Sequence, residues 1–185
     1  MSYVPFIPKV GQIFFHATPF KFSSFKKQPT WFTPTQMEAR EYVANQCIDK
    51  GQPFAYSKVC KFKSGKIADE KQALTIAKMV WPDDKYLMYS MFDEFVGEYN
   101  KEDIKMFITL LQKQKYVGAV HTDYSAVNND RDSYTLVIFD PIKTMLIVDT
   151  WTYERKGDGW LDKGGKSHAW DEWTYNYGNC KHNYK

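Results

Sequence analysis

NKEDIKMFITLLQKQKYVGAVH, residues 100–121, holds a helix and a strand in succession and sets the class of the fold. Asn100 and Asp103 form a cap pair at its start, the arrangement that satisfies the first backbone N–H groups of a helix. Ile104, Phe107, Ile108 and Leu111 then share one face of a helix expected over residues 101–115. Lysines close that helix, where cations meet the negative end of its dipole. From Tyr116 to His121 the pattern becomes a short apolar run, which reads as a strand.

Upstream of this stretch, residues 85–97 and 68–80 read as two more helical segments, the latter stopped by Trp81-Pro82. Strands are expected further upstream at Phe54–Phe62, at Thr30–Thr33, and at Gln12–His16 after Gly11. Pro19 interrupts regular structure, and the loop that follows carries Phe20, Phe22 and Phe25. Thr33 followed by Pro34 predicts a helix with Thr33 as its N-cap. That helix should run to about Asp49, with Met37, Tyr42, Val43 and Gln46 near one side and Gly51 ending it. Downstream, a polar loop over residues 122–133 leads to strands at Tyr134–Phe139 and Lys143–Thr150, separated by Asp140-Pro141. Strands, then helices, then strands predict an α+β fold with a split antiparallel sheet and helices inserted between the strand groups, not a doubly wound parallel sheet.

The chain has 185 residues, the size of a single domain able to bury a core without a metal or disulfide staple. Residues 1–150 read as that domain and residues 151–185 as an extension of different character. Cys47, Cys60 and Cys180 make an odd count with no CxxC pair, so neither a disulfide framework nor a zinc site is expected, and no metal is called for. The N-terminus has two prolines and no apolar stretch of signal-peptide length, and no run approaches a membrane span, so a cytoplasmic protein with no membrane partner is expected. Net charge is +3, but residues 1–66 hold ten Lys/Arg against three Asp/Glu, and residues 67–150 hold nine against fourteen. Such segregation either prepares one face for a phosphate-bearing partner or leaves solvated lysines on strands and loops.

The P-loop, GxGxxG, HExxH and GxSxG motifs are absent. What remains is a set of aromatic and polar residues at strand ends: Phe14-Phe15-His16-Ala17-Thr18, then Trp31-Phe32-Thr33 leading into a helix with Ala39 and Tyr42. Later come Val117-Gly118-Ala119-Val120 and Thr135-Leu136-Val137-Ile138-Phe139-Asp140-Pro141. In this order the segments resemble the histidine-type ADP-ribosyltransferases, which span the diphtheria-toxin and poly-ADP-ribose-polymerase branches and many phage and bacterial toxin domains. Members of that group open with a Tyr-His-Gly-Thr-like strand end and continue with a Tyr-Phe-Thr strand. A second Tyr follows eleven residues later, the separation of Trp31 and Tyr42. They close with a Gly-Tyr-Asp-Gly-Val-like strand and a Glu-Tyr-Val-Val-Phe-Asp-Pro-like strand. The resemblance covers roughly residues 10–150.

The resemblance implies an ADP-ribosyltransferase-type sheet core and NAD as co-substrate. It places His16 on the adenosine-side ribose hydroxyls, the Ala17 backbone on the nicotinamide carboxamide, and Thr18 at the supporting turn. It places Trp31 and Tyr42 on the two faces of the nicotinamide ring, with Phe32 and Thr33 beside them. Stacking of this kind contributes about 1 kcal/mol per face. Taken singly, His16 reads first as a satisfied strand-end histidine and Trp31 and Tyr42 as core; it is their spacing together that favours the site. Three departures stand out: Ala17 replaces the motif glycine, Trp31 the first tyrosine, and Thr135 the catalytic glutamate. That glutamate normally steadies the oxocarbenium-like state, so its loss is costly. Asp132, ahead of Asp130 and Asp123, is the nearest acid able to act from a displaced position.

Residues 151–185 interleave Trp151, Tyr153, Trp160, Trp170, Trp173, Tyr175, Tyr177 and Tyr184 with polar residues. The pattern suits stacking on single-stranded nucleic acid, packing back onto the domain, or binding a protein partner such as an antitoxin. Two functions are therefore expected as alternatives. One is a mono-ADP-ribosyltransferase, related to toxins or phage defence, acting on a protein, RNA or DNA acceptor. The other is an inactive module of the same fold that binds nucleotide or RNA. A phosphotransferase of the related tRNA-repair branch would need paired arginines, and the chain has only Arg40, Arg131 and Arg155.

Overall fold

The computed structural model describes residues 7–36, 39, 43, 47, 51–83, 101–123, 133–156, 159–161 and 167–168. Its elements run β1 (Ile13–Thr18), β2 (Thr30–Phe32), β3 (Phe54–Phe62), β4 (Lys66–Ala68), α1 (Glu70–Val80), α2 (Lys101–Lys113), β5 (Tyr116–Asp123) and β6 (Ser133–Ile138). They continue with α3 (Pro141–Thr144), β7 (Met145–Lys156), β8 (Gly159–Leu161) and β9 (Ser167–His168). Gln36, Ala39, Val43 and Cys47 are helical and mark a further helix between β2 and β3. The fold is α+β, with one five-stranded sheet ordered β1-β3-β7-β8-β9 and one four-stranded sheet ordered β2-β6-β5-β4.

The chain divides into two compact units. The first comprises Phe25–Phe32 and Phe62–Leu146 with the N-terminal stretch to Gln12, and it holds the four-stranded sheet. Here the sheet is mixed, not wholly antiparallel: β4 runs parallel to β5, while β2–β6 and β5–β6 are antiparallel. Two parallel strands need a long crossover, and α1 and α2 lie on it, both packing against β5. Their apolar stripes meet the sheet in one core containing Ile76, Trp81, Phe107, Leu111, Ala119 and Val137. Phe107 and Leu111 have no exposed surface, and burying side chains of this size stabilises by about 1.5–3 kcal/mol each. Trp81 tilts onto Phe107 with ring centroids 5.6 Å apart.

Local signals explain where the boundaries depart from the sequence expectations. Ala68 belongs to β4, a strand not expected, and not to the helix. The helix begins after Asp69, whose side chain accepts the Gln72 N–H at 2.8 Å while the Gln72 side chain accepts the Asp69 N–H at 3.0 Å. This reciprocal pair satisfies two end groups at once. α2 stops at Lys113 because Lys115 turns into the left-handed region (φ 66°) and β5 starts at once. Residues 141–144, placed partly in a strand from the sequence, form a helical turn led by Pro141, and the strand begins at Met145 and continues to Lys156. Antiparallel pairing carries β5 and β6 into the expected polar loop, as far as Asp123 opposite Ser133. The helix expected at residues 85–97 lies outside the described residues.

In the second unit, made of Ile13–Ser24, Thr33–Lys61 and Ile147–Lys185, β1 and β3 pair from Ile13↔Lys61 to Thr18↔Tyr56. Among the described residues, Val43, Cys47 and Ala55 form one buried cluster, with Ala17 and Trp151 packed against them. Ala39, Val43 and Cys47, four residues apart, are the buried stripe of the β2–β3 helix. Of the residues expected near that side, Val43 is there, whereas Met37, Tyr42 and Gln46 lie outside the described residues. Thr33 does not cap this helix. Its hydroxyl donates to the Thr35 carbonyl at 2.9 Å, and the Thr35 carbonyl accepts the Ala39 N–H. Backbone bonds between Thr33 and Phe15 hold Thr33 in an extended bridge, so the chain enters the helix two residues later.

Gly118 is the tightest point of the first unit: a methyl group built there runs into the Val137 carbonyl oxygen and the Ile138 side chain. Gly118→Ala is therefore expected to destabilise the protein by about 2 kcal/mol or more, and Phe107→Ala by about 3–5 kcal/mol. Urea denaturation checks both. A Gly118→Ala variant as stable as its parent would contradict the close approach of β5 and β6.

Candidate functional site

The motif residues fall on both units. In the second, His16, Ala17 and Thr18 end β1. The Thr18 hydroxyl accepts the Phe20 N–H at 3.2 Å and fixes the turn out of the strand. Ala17 sits opposite Ser57, whose buried hydroxyl has no hydrogen-bond partner among the described residues. His16 is half-buried and sits opposite Lys58, with the Phe22 ring edge-on to its imidazole at 6.0 Å.

In the first unit, β2 pairs with β6 so that Trp31 faces Val137 and Phe32 faces Leu136. Side chains alternate along a strand, so Trp31, Val137 and Thr135 fall on one face. Trp31 is half-buried and packs on the helical core described above. Phe32 has no exposed surface and meets Phe25 edge-on at 5.3 Å. Thr135 is 2 % exposed and pairs with His121 of β5. Tyr42, Asp130 and Asp132 lie outside the described residues, and Asp123 ends β5. An open groove of about 390 Å³ runs between Pro29 and α2, lined by Lys101, Ile104, Lys105 and Ile108 among others. It contains none of the sequence candidates. Among the described residues, no three His, Cys, Asp or Glu side chains converge as metal ligands, and no helix is long and apolar enough to cross a membrane.

Sequence reasoning missed Lys58. β3 is buried on both faces from Ser57 to Cys60, and a lysine inside an alternating apolar run is the sequence signal that points to it. Lys58 is 3 % exposed, and no ion pair involving it is present among the described residues. Its ammonium donates to the Phe22 carbonyl and, at 3.0 Å, to the Thr150 hydroxyl. It also lies 4.6 Å from the centre of the Phe22 ring. Stripping a lone cation of water costs several kcal/mol; two hydrogen bonds and a cation–π contact offset part of that cost.

The electrostatics follow from burial. Desolvation pulls the Lys58 ammonium below its ordinary range; the Cys60 sulfur opposes this, and Lys21 adds to it by repulsion. Burial pushes the neighbouring Cys60 thiol from 9.0 up to about 12, with Lys58 acting against it. Cys60 is therefore a neutral, inert thiol at physiological pH.

A thiol whose titration is raised by folding contributes stability in full below its unfolded value, and loses it as pH rises through its folded value. For Cys60 that window lies between 9.0 and about 12. Stability should accordingly fall across this range, and Cys60→Ala should flatten the fall, as read by urea denaturation at stepped pH. Native Cys60 should also be alkylated about 100-fold or more slowly than in denaturant at pH 8, a rate that peptide mapping gives directly. Rapid native labelling would show that the thiol is not enclosed. In searches of protein-family models, curated proteins and solved structures, the chain matches none.

Proposed function

We propose that this chain is a mono-ADP-ribosyltransferase of the histidine type, which cleaves NAD at the nicotinamide–ribose bond and passes ADP-ribose to a protein, RNA or DNA acceptor. One observation carries the proposal. The strands bearing Trp31-Phe32, Thr135–Ile138 and Val117–Val120 are hydrogen-bonded neighbours in the order β2-β6-β5; β5 and β6 follow one another in the chain, and β2 joins them from far upstream. Of the two pairings, β2 with β6 is the one that sequence order does not supply. The half-buried imidazole of His16, at the end of β1, supports the same reading.

The chemistry assigns each group a task. Departure of nicotinamide leaves a cationic sugar, so the site must grip the dinucleotide while positive charge develops. His16 would hydrogen-bond ribose hydroxyls, the Ala17 backbone would pair with the carboxamide, and the Trp31 ring would stack on nicotinamide. Tyr42 would supply the second ring and Asp132 a displaced carboxylate. Thr135, which stands at the place of the family's glutamate, is 2 % exposed and brings no negative charge to the cation. Losing one such electrostatic partner typically costs about 10²–10³ in rate, so slow single transfer is expected, without chain elongation. The near-complete burial of Thr135 favours a second reading, a non-catalytic module that binds nucleotide or RNA.

Incubation with labelled NAD and cell lysate, followed by separate protease and nuclease digestion, tests the proposal and identifies the acceptor class. Macromolecular label with release of nicotinamide is expected, and His16→Ala should lower it about 100-fold or more while leaving the melting temperature near that of the parent. No label and no nicotinamide would end the enzyme proposal. Saturable NAD binding without turnover would favour the binding module.

A further inference from the structure

Two features connect Lys58 to His16: the Phe22 it holds and the strand register it shares. Thr150 on β7 accepts from its ammonium, as does the Phe22 carbonyl in the loop after β1. The same Phe22 places its ring face toward the ammonium and its edge toward the His16 imidazole. His16 and Lys58 are also direct register partners on β1 and β3. A lysine of low exposure thus joins two strands and a loop, and the loop residue it holds is the one that backs the imidazole.

We propose that Lys58 is a positioning residue: it ties the loop at Phe22 to β3 and β7 and thereby holds the His16 imidazole in one orientation for its ligand. Three features favour this over simple packing. A leucine or valine would fill a two-faced strand at no desolvation cost, whereas this side chain spends its donors on a loop carbonyl and a hydroxyl. Lysine also has the reach to bind a carbonyl beyond its own sheet, which no apolar residue can do. Finally, Phe20, Lys21, Ser23 and Ser24 on either side of Phe22 are exposed, and exposed loops lie toward the low-stability end of a fold. Fixing a loop before the ligand arrives removes an ordering cost from binding.

The ligand arm of the test rests on the NAD proposal above; the structural arm does not. Lys58→Met keeps the length and volume of the side chain and removes its donors. Chymotrypsin cleavage after Phe20, Phe22 and Phe25 is expected to speed up about tenfold in this variant, and the His16 imidazole signal in NMR spectra of the ligand-free protein should shift or broaden. NAD affinity should fall about tenfold in the parent background but less than twofold in a His16→Ala background, because the lysine acts through the imidazole. If Lys58→Met does not fold, Thr150→Val, which deletes one acceptor on an exposed position, carries the same measurements with smaller changes in the same direction. Unchanged cleavage and an unmoved imidazole signal would overturn the proposal, as would an equal loss of NAD affinity with and without His16. If the parent binds no NAD, the functional proposal fails, and the protease and NMR measurements still decide the role of Lys58.

Discussion

Close antiparallel pairing of β5 with β6 is the constraint from which the first unit follows. Gly118 lets the strands approach where any side chain would meet the Val137 carbonyl. With that register set, Ala119 and Val137 lie opposite each other and form the floor on which α1 and α2 deposit Ile76, Phe107 and Leu111. β2 then adds to the free side of β6, which puts Trp31 on the same face as Val137. One glycine thus governs both the packing of the helices and the placement of the aromatic strand.

In the second unit, Val43, Cys47 and Ala55 form one buried apolar cluster, and Phe14 and Val59 are buried as well. The same unit also buries a charged group: Lys58 is a cation placed where most strands would carry valine. A fold accepts that cost where the charged group must hold something that a methyl group cannot, and here the held object is the loop next to His16.

Much of this was legible in the sequence because it depended on local rules. The periodicity of residues 101–111 found α2, the alternation of residues 54–62 found β3, and the apolar run ending at His16 found β1. What the sequence hid was set by tertiary context. β4 is three residues long and exists because β5 offers it a parallel edge, so its own composition carries little signal. Thr33-Pro34 has the chemistry of a helix start, but pairing with Phe15 outbid it and moved the helix onward. The candidate site was legible only as residue types at strand ends. That β2 lies against β6 is a long-range fact, and so is the enclosure of Lys58, because both depend on registers that no short window encodes.

The tether at Lys58 also bears on how the protein tolerates saline surroundings. Surface ion pairs such as Lys105–Glu102, with both side chains largely exposed, weaken as mobile ions crowd around them. A carbonyl, a hydroxyl and a benzyl ring carry no net charge for counterions to neutralise, and the ammonium they share is almost wholly shielded from solvent. The end of the sheet that presents His16 is thus held by contacts largely indifferent to ionic strength, and keeps its shape in dilute buffer and in concentrated electrolyte alike.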